Sequence, residues 1–129
     1  MNYIVIFLGG AIGAICRYTL GNFISYSPSK FPVNTFIINM IGCLFLGFFL
    51  TYSKNKLRKE LILLIGTGFT GAFTTFSTFS LENAKLLENG QLITSFLYVF
   101  LSIGLGICLS YLGYLLAVQL LKRKGESIS

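Results

Sequence analysis

The sequence predicts an all-α membrane protein of four transmembrane helices, the third broken near Gly71–Thr75, and three observations carry that prediction. Residues 31–53, 61–81 and 89–121 contain no Asp, Glu, Lys or Arg. Each run is long enough to cross a hydrocarbon core that needs about 20 apolar residues at ~1.5 Å rise each. Residues 3–25 are equally apolar apart from Arg17. The composition agrees, at 54% hydrophobic and 11% charged with a mean hydropathy of +0.78. The segments between the runs are too short for a soluble domain. The 129 residues therefore read as one membrane domain with spans at about 3–25, 33–53, 61–84 and 92–121.

Span one carries GGAIGAICRY, in which Gly9 and Gly13 form a small-xxx-small pair with Arg17 one turn further on. Glycines at that spacing let helices approach closely. An arginine inside a span is costly, and Arg17 either snorkels to the interface or anchors a water-filled vestibule that attracts anions. The start of the chain lacks the basic region and the small-residue cleavage site of a signal peptide, so it reads as a retained helix. Span two opens after Phe31-Pro32, with proline expected in the first turn, and places Asn39 in an apolar helix. Its amide either bonds across a helix interface or points into a pore as a donor.

Span three holds GTGFTGAFTTFSTFS from Gly66 to Ser80, crowding glycines and hydroxyls at bilayer depth. Gly66-x-Gly68-x-x-Gly71 matches the dinucleotide fingerprint by letter, but that motif needs a soluble strand, turn and helix. The better reading is a helix break, because propensity is low where Gly71 leads into Thr74-Thr75. A broken membrane helix frees backbone carbonyls that suit a small hard cation. Phe76 and Phe79 then share one face at i and i+3, either for packing or to present positive ring edges to an anion. Span four sets Tyr98 and Ser102 one turn apart, with Gly106 next, a polar stripe expected to meet protein or water.

Several function classes fall away. There is no histidine, and Cys16, Cys43 and Cys108 all lie in spans, where thiols act as small apolar filler. The net charge of +6 sits in loops rather than among aromatics, so nucleic acid is not an expected partner. Lys54, Lys56, Arg58 and Lys59 precede span three, and Lys122, Arg123 and Lys124 follow span four, against Lys30 and Lys85 on the other side. By the positive-inside rule both termini are expected in the cytoplasm, and membrane lipid is an expected contact. No nucleophile, base and orienting group occur together, so no enzyme is expected. A small four-span multidrug or cation transporter is the rival reading. It would need a carboxylate well inside a span, whereas Glu60, Glu82, Glu88 and Glu126 read as marginal.

GGAIGAICRY, FPVNTFIINMIG and GFTGAFTTFSTFS, in that order across essentially the whole chain, resemble the small bacterial fluoride channels of the Fluc or CrcB family. Departures are mild: Asn34 replaces a usual Gly, Ile38 a common Val, and Ala72 the second Gly of the break. The resemblance implies a fluoride-selective channel in the bacterial cell membrane that exports fluoride passively. It also implies an antiparallel dual-topology dimer with two fluoride pathways and a central structural sodium ion. On that resemblance the carbonyls of Gly71 and Thr74 would bind the sodium. Asn39, Thr75, Phe76, Phe79, Tyr98 and Ser102 would line the fluoride pathway, with Arg17 near a vestibule. The basic bias strains a homodimer inserted both ways, so a heterodimer with a paralogous subunit stays open.

Overall fold

The computed structural model describes residues 2–24, 31–54 and 56–125. Lys30 and Glu126, counted above, lie outside the described residues. Four helical segments are long and apolar enough to cross a membrane: Asn2–Phe23, Val33–Ser53, Lys59–Glu88 and Leu92–Arg123. The first two and the last are continuous helices, here α1 (Asn2–Phe23), α2 (Val33–Ser53) and α6 (Leu92–Arg123). The third span is composite. It runs as α3 (Lys59–Ile62), a π segment (Leu63–Phe69), α4 (Thr70–Phe73), a two-residue break and α5 (Phe76–Glu88). Pro32 sits at the N-cap of α2 rather than inside its first turn, and its carbonyl accepts from Phe36 N at 3.2 Å. Proline is suited there, since it has no N–H to leave unpaired.

The bundle is two helix pairs joined by the third span. α1 packs along the π segment and α4, whereas α2 packs along α6 and meets α1 only slightly. Small residues set both crossings. A methyl group added to Gly9 would land on the Leu64 carbonyl and one on Gly13 on the Phe69 carbonyl. At the second crossing, one on Gly47 would meet the Ser110 carbonyl and one on Gly113 the Leu44 carbonyl. Lipid tails offer helices no hydrophobic reason to associate, so close backbone contact through small residues supplies the packing. Cys43 fills the same α2–α6 seam opposite Gly106, at 3.4 Å from where a methyl there would sit, and all three cysteines are free thiols. That is the filler role expected of Cys43.

The π segment is the one regular element with no sequence signal. Thr70 closes it by donating both its N–H and its hydroxyl to the Ile65 carbonyl, the latter at 2.8 Å. One residue is thereby squeezed into the turn, a device that recurs at functional sites. The Gly66-to-Gly71 fingerprint lies on this segment and α4, with no strand before it among the described residues. α2 and α6 run in the same direction and end together at the basic end of the molecule, where Lys124 donates to the Tyr52 hydroxyl at 3.2 Å.

Candidate functional site

The break is built by one side chain from another helix. Thr74 and Thr75 are both extended, with φ −75, ψ 156 and φ −143, ψ 116. Asn39 on α2 takes up both backbone groups of Thr75: its Oδ1 accepts from Thr75 N at 2.9 Å and its Nδ2 donates to Thr75 O at 3.2 Å. At bilayer depth an exposed peptide group costs several kcal/mol, so an irregular backbone needs such a partner. One proton of the Asn39 amide is spent here, and the second has no partner among the described residues. The two readings of Asn39 therefore coexist in one side chain: it bonds across an interface and keeps a donor.

Thr75 restarts the helix. Its hydroxyl caps α5 by accepting from Thr78 N at 3.1 Å and lies 3.0 Å from Thr78 Oγ1. Because Thr75 N goes to Asn39 and Thr78 N to the Thr75 hydroxyl, the usual i+4 donors of Gly71 O and Thr74 O are diverted. Among the described residues no hydrogen bond ends on either carbonyl. Thr74 itself returns its hydroxyl to Thr70 O at 2.9 Å. Two freed carbonyls suit a hard cation with oxygen ligands. Among the described residues no group of His, Cys, Asp or Glu could hold a metal instead.

A cleft of about 540 Å³ opens over the break, lined by Asn39, Gly71, Thr74, Thr75, Phe76, Phe79 and Ser102 among others. Phe76 stands 80% exposed at its edge, and its ring centroid is 5.9 Å from that of Phe79. Phe79 in turn tilts against the fully buried Tyr98 at 4.8 Å. Ser102 lines the cleft one turn beyond Tyr98 on α6, and its hydroxyl engages none of the described residues. The structure thus gathers all but two of the expected site residues around one opening. Tyr98 lies behind the cleft wall. Arg17 does not line it; half-buried on α1, it makes no hydrogen bond or ion pair with a described residue.

Sequence reasoning missed Glu82. Marginal by its place in the sequence, it is central in the fold, where its carboxylate accepts from Thr35 Oγ1 at 2.8 Å and from Tyr98 OH at 2.9 Å. The α5–α6 hairpin folds back past Glu82 and sets Tyr98 opposite it, so a residue near the end of an uncharged run faces protein. Beside it Ser95 Oγ donates to Asn83 Oδ1 at 2.7 Å. The proton of Tyr98 is therefore committed to Glu82 within this network. The signal available in the sequence was a carboxylate one residue past an uncharged run, at the same end as a threonine early in span two and a tyrosine early in span four. Tyr98→Phe removes one of two donors from a carboxylate in a low-dielectric setting. It is expected to cost about 1.5–3 kcal/mol, read as a lower unfolding midpoint in detergent, whereas an unchanged midpoint would show the network carries no stability.

Over residues 4–114 the chain matches the family model described as CrcB-like protein, Camphor Resistance (CrcB). A fluoride-specific ion channel FluC of Oceanobacillus iheyensis is 54% identical over 125 residues, covering 95% of this chain and 96% of that protein. A fluoride-specific ion channel FluC 1 of Bacillus cereus is 45% identical, covering 94% of this chain and 86% of its own length. One from Moorella thermoacetica is 43% identical over 130 residues, covering 98% and 93%.

Proposed function

The chain belongs to the CrcB-like family, and from that premise we infer a fluoride-selective channel, a multi-pass bacterial membrane protein through which fluoride leaves the cytoplasm passively. The observation that carries the reading is the Asn39–Thr75 clamp, which opens a helix at bilayer depth and sets donors and ring edges around one cleft. Fluoride holds its water tightly, so a pathway must replace that water with many weak donors. The second Asn39 proton, the Ser102 hydroxyl and the positive edges of Phe76 and Phe79 are such donors. Thr75 positions the pathway through its cap, and Tyr98 backs Phe79. None of these groups carries a fixed positive charge that would trap the anion. Arg17 adds a positive potential from α1 outside the cleft.

The assembly is a dimer of antiparallel copies. Gly71 has nothing within 4 Å of its missing side chain, and the cleft leaves freed carbonyls and an exposed Phe76 on an open face. Irregular backbone at membrane depth is tolerated only when buried in protein or lining water, so a second copy laid over this face answers the requirement. The carbonyls of Gly71 and Thr74 from both copies would hold a sodium ion, which when bound supplies a central positive charge that joins the two breaks. We favour a homodimer, since this chain keeps every residue assigned to the pathway. A paralogous partner is the other case raised by the basic bias. The rival transporter finds no support, because the relatives are named as fluoride channels and the carboxylate of Glu82 is already engaged by two hydroxyls.

Fluoride efflux from liposomes holding the chain alone, followed with a fluoride electrode, is expected to be fast, with little chloride flux. Phe76→Ile, which keeps the bulk but removes the ring edge, is expected to slow efflux at least about tenfold, corresponding to roughly 1.4 kcal/mol of lost stabilisation. Equal fluoride and chloride flux would end the selective-pore reading. Folded protein that conducts only when a paralogous subunit is added would replace the homodimer by a heterodimer.

A further inference from the structure

At the basic end of the bundle, cations from two separate loops converge on one ring. Lys56 Nζ lies 4.4 Å from the Tyr52 ring centroid, and Lys124 Nζ lies 5.7 Å from it while donating to the Tyr52 hydroxyl. One turn deeper, Phe48 stacks on Tyr52 at 5.5 Å. Phe48 is also one wall of a cavity of about 310 Å³ between α2 and α6, completed by Leu116, Gln119, Leu120 and Arg123. Among the described residues no carboxylate pairs with Arg123 or Lys124. An apolar floor inside the span thus leads up to a rim of three cations where the helices leave the membrane.

We propose that this is a binding site for an anionic glycerophospholipid, distinct from the fluoride cleft. Its phosphate sits among Lys56, Arg123 and Lys124 above Tyr52, and one acyl chain lies along Phe48, Leu116 and Leu120. The charge of the rim selects an anion, and the apolar cavity beneath it selects an anion that carries a chain. A basic residue near the membrane surface contributes roughly a fivefold preference for anionic lipid. Concentrating three on one phosphate converts a diffuse field into a site.

Native mass spectrometry of the purified chain with equal amounts of phosphatidylglycerol and phosphatidylcholine tests this. Wild type is expected to retain phosphatidylglycerol over phosphatidylcholine by at least about fivefold. Lys56→Gln with Lys124→Gln is expected to erase the preference. Lys54→Gln with Lys59→Gln, which removes equal charge away from Tyr52, is expected to leave most of it. Should the first pair fail to fold, Lys124→Gln alone reads the same loss in part. Equal retention of the two lipids by wild type overturns the site. Equal losses in the two double variants overturn it in favour of a diffuse field, and displacement by soluble glycerol phosphate would assign the cations to a free phosphate instead.

Discussion

Asn39→Ala is expected to abolish fluoride efflux and to lower the unfolding midpoint together, because one side chain serves both the pathway and the break. Removing it leaves Thr75 N–H without a partner in a low-dielectric setting, at a cost of about 1–3 kcal/mol, and takes from Thr75 C=O the bond it adds to its place at the start of α5. The backbone answers by re-forming a helix or admitting water, and either change moves Phe76 and Thr75 relative to the cleft. Asn39→Asp separates the two roles, since it keeps the acceptor for Thr75 N and loses both donors. It is expected to hold the break better than alanine while still slowing fluoride at least about tenfold, a loss worth roughly 1.4 kcal/mol. Efflux rates and melting curves on the same preparations check this. Wild-type efflux in both variants would remove Asn39 from the pathway, and an unchanged midpoint in the alanine variant would remove it from the break.

The second large effect is steric. Gly13→Ala is expected to leave little folded protein, since its methyl group would fall on the Phe69 carbonyl and backbone cannot swing aside as a side-chain tip does. Overpacking of well-fitted sites costs about 1–3 kcal/mol or more. α1 would be pushed off the π segment, and the wound-out turn closed by Thr70 would lose its support. Gly10→Ala is the internal control. It would meet only Gly68 O at 3.8 Å and Ala72 Cβ at 3.9 Å, ordinary contact, and is expected to change stability by less than about 0.5 kcal/mol. Size-exclusion profiles and yields of the two variants decide it. Equal behaviour would mean that the α1 crossing tolerates more separation than its geometry implies.

These two residues show what could be read in the sequence and what could not. The spans were legible because charge is absent over long runs, which needs no knowledge of neighbours. The close approach at Gly9 and Gly13 was legible from their spacing, and the break from poor helix formers at Gly71 through Thr75. The agent of the break was not, because Asn39 acts on a backbone 36 residues away and only folding brings them together. Glu82 was hidden for the same reason: its partners, Thr35 and Tyr98, come from two other helices. The π segment carried no signal, since Leu63–Phe69 is an apolar run like its neighbours and the Thr70 bonds to Ile65 that close it appear only in the fold. The polar stripe of α6 was visible as a period of four, but only the fold separates Tyr98, turned to Glu82, from Ser102, open to the cleft.

The pairing of the helices also bears on how the chain is made. Membrane segments leave the ribosome in order, yet α1 meets α2 only slightly and keeps its closest contacts for the third span. α2 fares worse, since its main partner is α6, the last helix synthesised. Until Leu92–Arg123 has been inserted, the Gly47 face of α2 has no backbone to receive it, and Asn39 must hold the Thr75 break without the wall that α6 provides behind it. A nascent chain of three spans is therefore an unfinished object whose second helix lacks its main packing partner. The protomer's packing is completed only by its final helix, so the carboxyl-terminal span is the step that turns three inserted segments into a protomer ready to pair.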